Sequence, residues 1–351
     1  MSADRIKIRD SNIELLRVVA ANFVIIIHLA IFMFMDKTVY PGAPYINQII
    51  VRLAHVMSCG AVNIFIMING YYTMGAEKVN LKKPFLLVFQ LIVFNLALYG
   101  FGFIDGSSLL NIRSVVKAIY PAEYFISLYC ALYLVSPYIN FVLRNLSDAK
   151  FRTLLTVLIF VFCIWNYCAD LVTELCGISV LGASTISMNG SLLGSTIVNF
   201  GVCYIIGAAV RRNIIQIKHP ILSFIVSFVA TAAINSLNIN VSVYYHSPFV
   251  IGMAVSLLCL FKRFNVKSLL VNILAEKSIS VYLLHFTFLV HMKPFLLASL
   301  NCSAPVMLLR FAIAIVLVWL GSSVCHIVYK FASDPVLRKI EPRLEKIIIS
   351  C

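Results

Sequence analysis

Three ionisable side chains share one face of the first apolar stretch of the sequence. Glu14 and Arg17 are three residues apart, and His28 follows Arg17 by eleven residues. At about 100° per residue, eleven residues make three helical turns plus roughly 20°, so Arg17 and His28 point the same way roughly 16 Å apart. Glu14 lies on the same stripe, where an ion pair with Arg17 can form. Because ionisable groups are costly inside a membrane-spanning helix, the set predicts a functional site in which His28 transfers a proton or forms a covalent bond.

Each of these residues also has a structural interpretation. An arginine near a helix end can extend its charge to the membrane surface, and a buried histidine can bond to a backbone carbonyl. The common face and the spacing of Arg17 and His28 favour the functional interpretation.

Further polar residues mark the later apolar stretches. Arg52 and His55 lie three residues apart, and counting from the helix starts places His55 at about the depth of His28. Either His55 faces a site or it is an interfacial histidine. The same choice holds for His285, which could instead be a buried histidine bonded to a neighbouring helix. Lys82 and Lys83, at the start of the third stretch, either bind phosphate or are cytosolic flanking charges.

The elements that position these residues follow from composition. Of the 351 residues, 61% are hydrophobic and 12% are charged, against roughly 45–50% and 25% in soluble domains. Lipid offers no partner to unpaired backbone groups, and the apolar runs are long and uninterrupted, so the chain is predicted to be an all-α polytopic integral membrane protein, a single domain over 1–351. About ten transmembrane helices are predicted near 13–35, 49–73, 84–104, 121–142, 153–170, 191–210, 220–238, 243–261, 278–299 and 305–328.

The placement of basic residues predicts the orientation. With ten spans and both termini in the cytosol, 22 of the 28 Lys and Arg residues fall in cytosolic segments, as positively charged inner loops require. The net charge of +14 is therefore a membrane signature, and no nucleic-acid partner is expected. The tail over 329–351 is predicted to be a basic amphipathic helix on the inner leaflet. The ten cysteines show no metal-like spacing, and no metal site is expected.

Several short sequence segments, in the same order along the chain as in the family, resemble acyltransferase family 3. Its members are the integral membrane O-acyltransferases of bacterial surface polysaccharides. The first segment runs from Asn12 to His28 and contains the family's Arg-x10-His pattern. The second, Val62–Tyr71, is similar to VNLFVLISGYF, with Asn69 where Ser is usual. The others are Asn80–Pro84, similar to the family's basic cluster; Tyr124–Tyr129 with Leu132–Pro137, similar to YWFISAY and LYLLSP, with Tyr124 where Trp is common; and Ile279–His285, similar to SIYLIH.

The resemblance implies a bacterial inner-membrane enzyme, an acyl-CoA donor (usually acetyl-CoA) that enters from the cytosol, and a carbohydrate hydroxyl as acceptor, with no bound cofactor. It implies His28 as the catalytic residue, supported by Arg17 and Glu14. Donor binding is expected from Arg17, Lys82, Lys83, Asn63 and His285. Acceptor binding is expected from Arg52, His55, Tyr71 and Tyr124.

The chemistry leaves two routes open. His28 acts either as a general base toward the acceptor hydroxyl or as a covalent acyl carrier. Asn63 either donates a hydrogen bond to the thioester carbonyl or orients His28. The distance from Arg17 to His28 is comparable to an extended pantetheine arm, so the nucleotide end is expected to stay at the basic inner mouth.

Two other functions compete with acyl transfer. Buried His and Arg residues in ten helices also describe a proton-coupled secondary transporter or glycan exporter. Inverted repeats and matched helix breaks would favour that reading, and neither is clear in the sequence. A weaker alternative is a degenerate member that only binds a glycan-assembly complex.

Overall fold

The computed structural model describes residues 11–36, 38–101, 116, 119–120, 123–184 and 195–350. Helices in this part of the chain are α1 (Ser11–Phe34), α2 (Tyr45–Ser58), α3 (Ala61–Thr73), α4 (Lys82–Gly100), α5 (Tyr124–Asn145), α6 (Asp148–Ile159), α7 (Asn166–Cys176), α8 (Ile197–Arg211), α9 (Pro220–Ser236), α10 (Pro248–Lys262), α11 (Leu269–His291), α12 (Lys293–Ser299) and α13 (Ala304–Glu345). A π-helical segment, Phe160–Trp165, joins α6 to α7, and 3-10 turns lie at Tyr40–Gly42 and Asn240–Val243. Short strands β1 (Lys78–Asn80) and β2 (Ile348–Ser350) form one antiparallel pair.

The predicted all-α, multi-pass membrane fold is confirmed. Within the described residues, eight helical runs are long and apolar enough to cross a membrane, and α8 and α9 are shorter apolar helices. The count of ten spans, the cytosolic termini and the single domain stay predictions. Two connections between predicted helices, over 105–120 and 171–190, are expected on the outer side of the membrane. Most of the first and residues 185–190 of the second lie outside the described residues, as do the basic residues Arg5, Lys7 and Arg9.

Several predicted helices have different ends in the structure. The helix predicted over 49–73 is broken at Cys59 and Gly60 into α2 and α3. Gly60 packs beside the backbone of Val250, since an added Cβ would lie in ordinary van der Waals contact, 3.5 Å from the Val250 carbonyl oxygen. The last helix continues to Glu345, well past the predicted end at 328, so the first part of the predicted tail is a direct continuation of this helix. Its position on the inner leaflet stays a prediction.

The basic end of the bundle is where α1 begins, and charged contacts tie its helices together there. Arg212 pairs with Asp148 at 2.7 Å, and Arg144 pairs with Glu77 at 2.6 Å. Asn12, at the start of α1, donates to the carbonyl of Phe261 near the end of α10. We call the opposite end of the bundle, where α1 ends, the far end.

Helices α3 and α8 are in unusually close contact. A Cβ added at Gly70 would lie 2.0 Å from the carbonyl oxygen of Tyr204, and a Cβ added at Gly207 would lie 2.0 Å from that of Met67. Small residues at such crossings let helix backbones approach, which is how helices gain packing contacts in a membrane. The pair lies in the main apolar core, which also includes the start of α1.

Candidate active site

His28 and His285 meet between α1 and α11. Nε2 of His285 lies 3.2 Å from Nδ1 of His28, and the two ring centroids are 4.7 Å apart. Each Nδ1 also faces a backbone carbonyl of its own helix: that of Val24 at 2.9 Å for His28, and that of Tyr282 at 2.5 Å for His285. The rings are therefore held by their own helices and by each other.

These contacts define the neutral tautomers. A carbonyl oxygen only accepts hydrogen bonds, so each Nδ1 must carry the proton, donated by His28 to Val24 and by His285 to Tyr282. The lone pair on Nε2 of His285 then accepts from the Nδ1 proton of His28, which is shared between two acceptors. Nε2 of His28 is left with a lone pair and has no hydrogen-bond partner among the described residues. This atom can accept a proton or attack a carbonyl carbon.

His28 and His285 line a cavity of about 290 Å³. Its aromatic wall includes Tyr124, whose hydroxyl donates to that of Tyr245 at 3.3 Å. Glu123, immediately before α5, supplies an acidic group, and partial burial raises the pKa of its carboxyl above the ordinary value. The other lining residues are Val24, Ile27, Cys59, Ala61, Val62, Tyr282, Leu283 and Phe286. The cavity therefore combines room for a substrate with tyrosine hydroxyl groups and the imidazole of His28.

Arg17 and Glu14 form the ion pair that their spacing suggested. Nη1 of Arg17 lies 2.8 Å from Oε2 of Glu14, and the Glu14 side chain is 3% exposed against 26% for Arg17. Helix α1 is unbroken from Ser11 to Phe34, which keeps Arg17 roughly 16 Å from His28 along the helix. The buried carboxylate therefore holds the partly exposed guanidinium.

The two lysines at the start of α4 have different partners. Nζ of Lys82 lies 3.0 Å from Glu341 and 2.7 Å from Glu345, both on α13. The Lys83 ammonium lies over the rings of Tyr129 and Tyr133, 5.4 Å and 4.9 Å from their centroids. Lys82 is thus already neutralised by carboxylates, whereas Lys83 has no carboxylate partner among the described residues.

Asn63 follows the lining residue Val62, and its side-chain amide is hydrogen-bonded to residues other than His28. Its Nδ2 donates to the carbonyl of Tyr245 at 2.7 Å, and its Oδ1 accepts from Asn199 at 3.3 Å. Asn63 thus holds the backbone of Tyr245, and not the imidazole that the sequence allowed it to orient.

Three of the residues expected to bind the acceptor lie outside the cavity. His55 packs edge-on against Phe34, with ring centroids 5.5 Å apart. Arg52 donates to Asn238 at the far end and lines a separate cleft of about 250 Å³ between α2 and α9. Tyr71 lies toward the basic end, where its hydroxyl accepts from Arg211 at 3.3 Å. Of that group, only Tyr124 joins His28.

Glu123, Tyr245 and Tyr282 are lining residues that the sequence did not single out. Tyr282 stands in the block that ends at His285, and Glu123 directly precedes Tyr124, so motif proximity was the available indication for both. Tyr245 follows a short connection with no pattern of its own. Its place in the site depends on tertiary contacts.

Comparison with known proteins gives one match. A family model described as an acyltransferase domain, Acyl_transf_3, matches residues 10–327. No curated protein and no solved structure matches the chain.

Proposed function

We propose, from the premise that this chain belongs to acyltransferase family 3 and is a membrane acyltransferase, that it transfers an acetyl group from cytosolic acetyl-CoA to a hydroxyl of a surface or exported glycan. The acyl-CoA is a substrate, and no cofactor takes part. The membrane is the inner membrane of a bacterial cell, with both termini in the cytosol. Membership of an enzyme family disfavours the alternatives of a proton-coupled transporter, a glycan exporter or an inactive binding subunit.

The observation that carries the proposal is that His28 lines the cavity and that its Nε2 has no hydrogen-bond partner among the described residues. In the direct route this nitrogen takes the proton of the acceptor hydroxyl while the hydroxyl oxygen attacks the thioester carbonyl. The tetrahedral intermediate collapses, the C–S bond breaks, and the imidazolium of His28 returns the proton to the leaving thiolate. His285 supports the step because its Nε2 lone pair accepts from Nδ1 of His28 and stabilises the imidazolium.

A two-step route uses the same nitrogen. Nε2 of His28 attacks the thioester, the C–S bond breaks, and the thiolate leaves and takes a proton from water. The acceptor hydroxyl then attacks the acyl-imidazole, the C–N bond breaks, and the Nε2 that is set free takes the hydroxyl proton and passes it to water. Incubation with radiolabelled acetyl-CoA in the absence of glycan separates the routes, because only the two-step route labels the protein and releases one thiol per site.

Donor binding is assigned to the basic end. Arg17, held by Glu14, offers a planar fork to a phosphate group, and its distance from His28 suits a thioester arm that reaches inward. Lys83 adds a cation without a carboxylate partner, while Lys82 contributes less because Glu341 and Glu345 neutralise it. Replacing Arg17 with Lys keeps the charge but not the fork, and should weaken acetyl-CoA binding by about 1.5–3 kcal/mol, or roughly tenfold to a hundredfold.

Acceptor binding is assigned to the aromatic wall of the cavity. Tyr124 and Tyr245 supply hydroxyls for polar contacts, and their rings supply flat surfaces for the apolar faces of a sugar. Arg52 and His55, outside this cavity, stay candidates for the more distant units of a polymeric acceptor.

The test is the His28→Ala variant, with His291→Ala as the matched control. His291 lies on the same helix as His285, but it is exposed near the helix end. The His28→Ala protein should insert into the membrane normally and bind acetyl-CoA. Mass spectrometry of the surface glycan should show no added acetyl group with His28→Ala and an added acetyl group with His291→Ala. Normal acetylation by His28→Ala would contradict the assignment.

A further inference from the structure

We infer that Asp170 and Glu174 on α7 are positioning residues for the acceptor, because they hold the segment that carries Tyr245 into the cavity. The segment runs over 240–247, from the 3-10 turn Asn240–Val243 to the residue before α10. The inference rests on the proposed function, since it concerns the acceptor wall of the same site.

Glu174 holds the start of this segment through its backbone. Its Oε1 accepts from the backbone N–H of Asn240 at 2.7 Å and from the Asn240 side chain at 3.0 Å. Its Oε2 accepts from the backbone N–H of Val241 at 2.9 Å. A carboxylate that accepts several N–H groups makes strong, charge-assisted hydrogen bonds, so one side chain fixes the turn.

Asp170 holds the other end through a side chain. Its Oδ2 lies 3.2 Å from Nε2 of His246, and His246 is 1% exposed. Asp170 and Glu174 are four residues apart, so they stand on the same face of α7. Both carboxylates therefore face the segment from α7.

Tyr245 is held between these two attachments. Asn63 on α3 donates to the carbonyl of Tyr245 at 2.7 Å, and Tyr124 donates to the hydroxyl of Tyr245 at 3.3 Å. His246, the next residue, takes the contact with Asp170 while Tyr245 lines the cavity with His28. Loss of an attachment on α7 should therefore displace the Tyr245 wall and leave the pair of His28 and His285 in place.

The helix that carries both carboxylates begins after an irregular element. The π-helical segment Phe160–Trp165 stands directly before α7. A π turn contains an extra residue and so rotates the faces of the helix that follows, and such segments occur frequently at functional sites. A regular helix over the same residues would present a different face to the 240–247 segment.

The test measures acceptor and donor parameters separately in nanodiscs. The acceptor probe is surface polysaccharide extracted from a strain that lacks this chain, titrated at saturating radiolabelled acetyl-CoA. For Asp170→Asn we expect the apparent acceptor KM to rise about tenfold, equivalent to about 1.4 kcal/mol. Its kcat should change by less than about twofold, because the group acts on binding and not on the reacting atoms. Acetyl-CoA affinity should match that of the unmodified protein.

Two further variants keep the test decisive if Asp170→Asn folds poorly. Glu174→Ala removes all three contacts from an exposed position and should also raise the acceptor KM. Tyr245→Phe should do the same, and combining it with Glu174→Ala should add little because both act on one wall. Asp148→Asn is the matched control, since it removes an ion-paired carboxylate at the basic end.

Hydrogen exchange separates failure of this inference from failure of the proposed function. Peptides covering 240–247 should exchange faster in Asp170→Asn and Glu174→Ala, whether or not the acceptor is a glycan. Faster exchange with an unchanged acceptor KM would overturn the inference while acetylation by the unmodified protein stood. Parallel losses of kcat, donor affinity and abundance would overturn it too, because they indicate only a structural role.

Discussion

Nε2 of His285 lies 3.2 Å from Nδ1 of His28, across the contact between α1 and α11. The relationship resembles the pairing of a catalytic base with an orienting acceptor, except that the acceptor is a neutral imidazole. It changes the role expected for His285. The sequence predicts a donor-binding role for His285, whereas its contact with His28 supports a role in positioning the His28 ring.

We predict that His285→Gln lowers kcat by about tenfold to a hundredfold, because the imidazolium of His28 loses the ring that stabilises it. Acetyl-CoA affinity should be unchanged. Turnover in nanodiscs and calorimetric titration with acetyl-CoA measure the two quantities, with His291→Gln as the control. A loss of affinity at normal kcat would return His285 to the donor site.

Lys82 and Lys83, at the start of α4, should differ in their effect on acetyl-CoA binding because they have different partners. Lys83→Ala should weaken acetyl-CoA binding by about 1.5 kcal/mol, or roughly tenfold, since it removes a cation without a carboxylate partner among the described residues. Lys82→Ala should leave the affinity nearly unchanged and lower the unfolding temperature slightly, because exposed ion pairs contribute about 0–1 kcal/mol. Equal losses of affinity in the two variants would show that the glutamates release Lys82 when the donor binds.

Gly207→Ala should destabilise the bundle by at least about 1–3 kcal/mol, because the added Cβ would meet the backbone of Met67. Gly201→Ala is the control on the same helix, where an added Cβ has no atom within 4 Å. It should be neutral or stabilising by up to about 1 kcal/mol. Thermal unfolding in detergent compares them, and an unfolding temperature for Gly207→Ala equal to that of Gly201→Ala would contradict the close contact.

Glu123→Gln should become more stable relative to the unmodified protein as pH rises. Burial raises the pKa of the folded-state carboxyl above its unfolded value, so this group favours folding at low pH and loses that contribution as pH rises through the folded pKa. Glutamine does not titrate. Unfolding temperatures measured from about pH 4 to about pH 7.5 should therefore diverge; parallel curves would indicate that the carboxyl is as well solvated in the folded state as in the unfolded one.

Local periodicity was enough to predict how three residues of the candidate site are arranged. Glu14, Arg17 and His28 lie on a single helix, and the spacing of residues within a helix fixes which of them share a face. The meeting of His28 with His285 was not accessible in this way, because the two residues are 257 positions apart and no local pattern encodes which helices touch. For the same reason, the sequence did not predict that Tyr245 lines the cavity or that Lys82 forms ion pairs with Glu341 and Glu345.

Helix ends were predicted less well for a physical reason. Hydropathy locates apolar residues, but it does not report where a helix is interrupted. The break at Cys59 and Gly60 divides a stretch that is apolar throughout, and α13 continues past its apolar part to Glu345. Its extension then places β2 against β1, where Val79 pairs with Ile349.

The reciprocal contact of Gly70 and Gly207 has a consequence for motion during turnover. At each glycine the backbone of the opposite helix lies where a Cβ would stand, so sliding or rotation of α3 against α8 would bring the neighbouring side chains into collision with backbone atoms. We therefore expect the two helices to move together. Asn199 on α8 donates a hydrogen bond to Asn63 on α3, and Asn63 donates to the carbonyl of Tyr245, so both asparagines belong to this pair of helices. We expect any opening that admits an acceptor or releases a product to displace the surrounding helices against this pair.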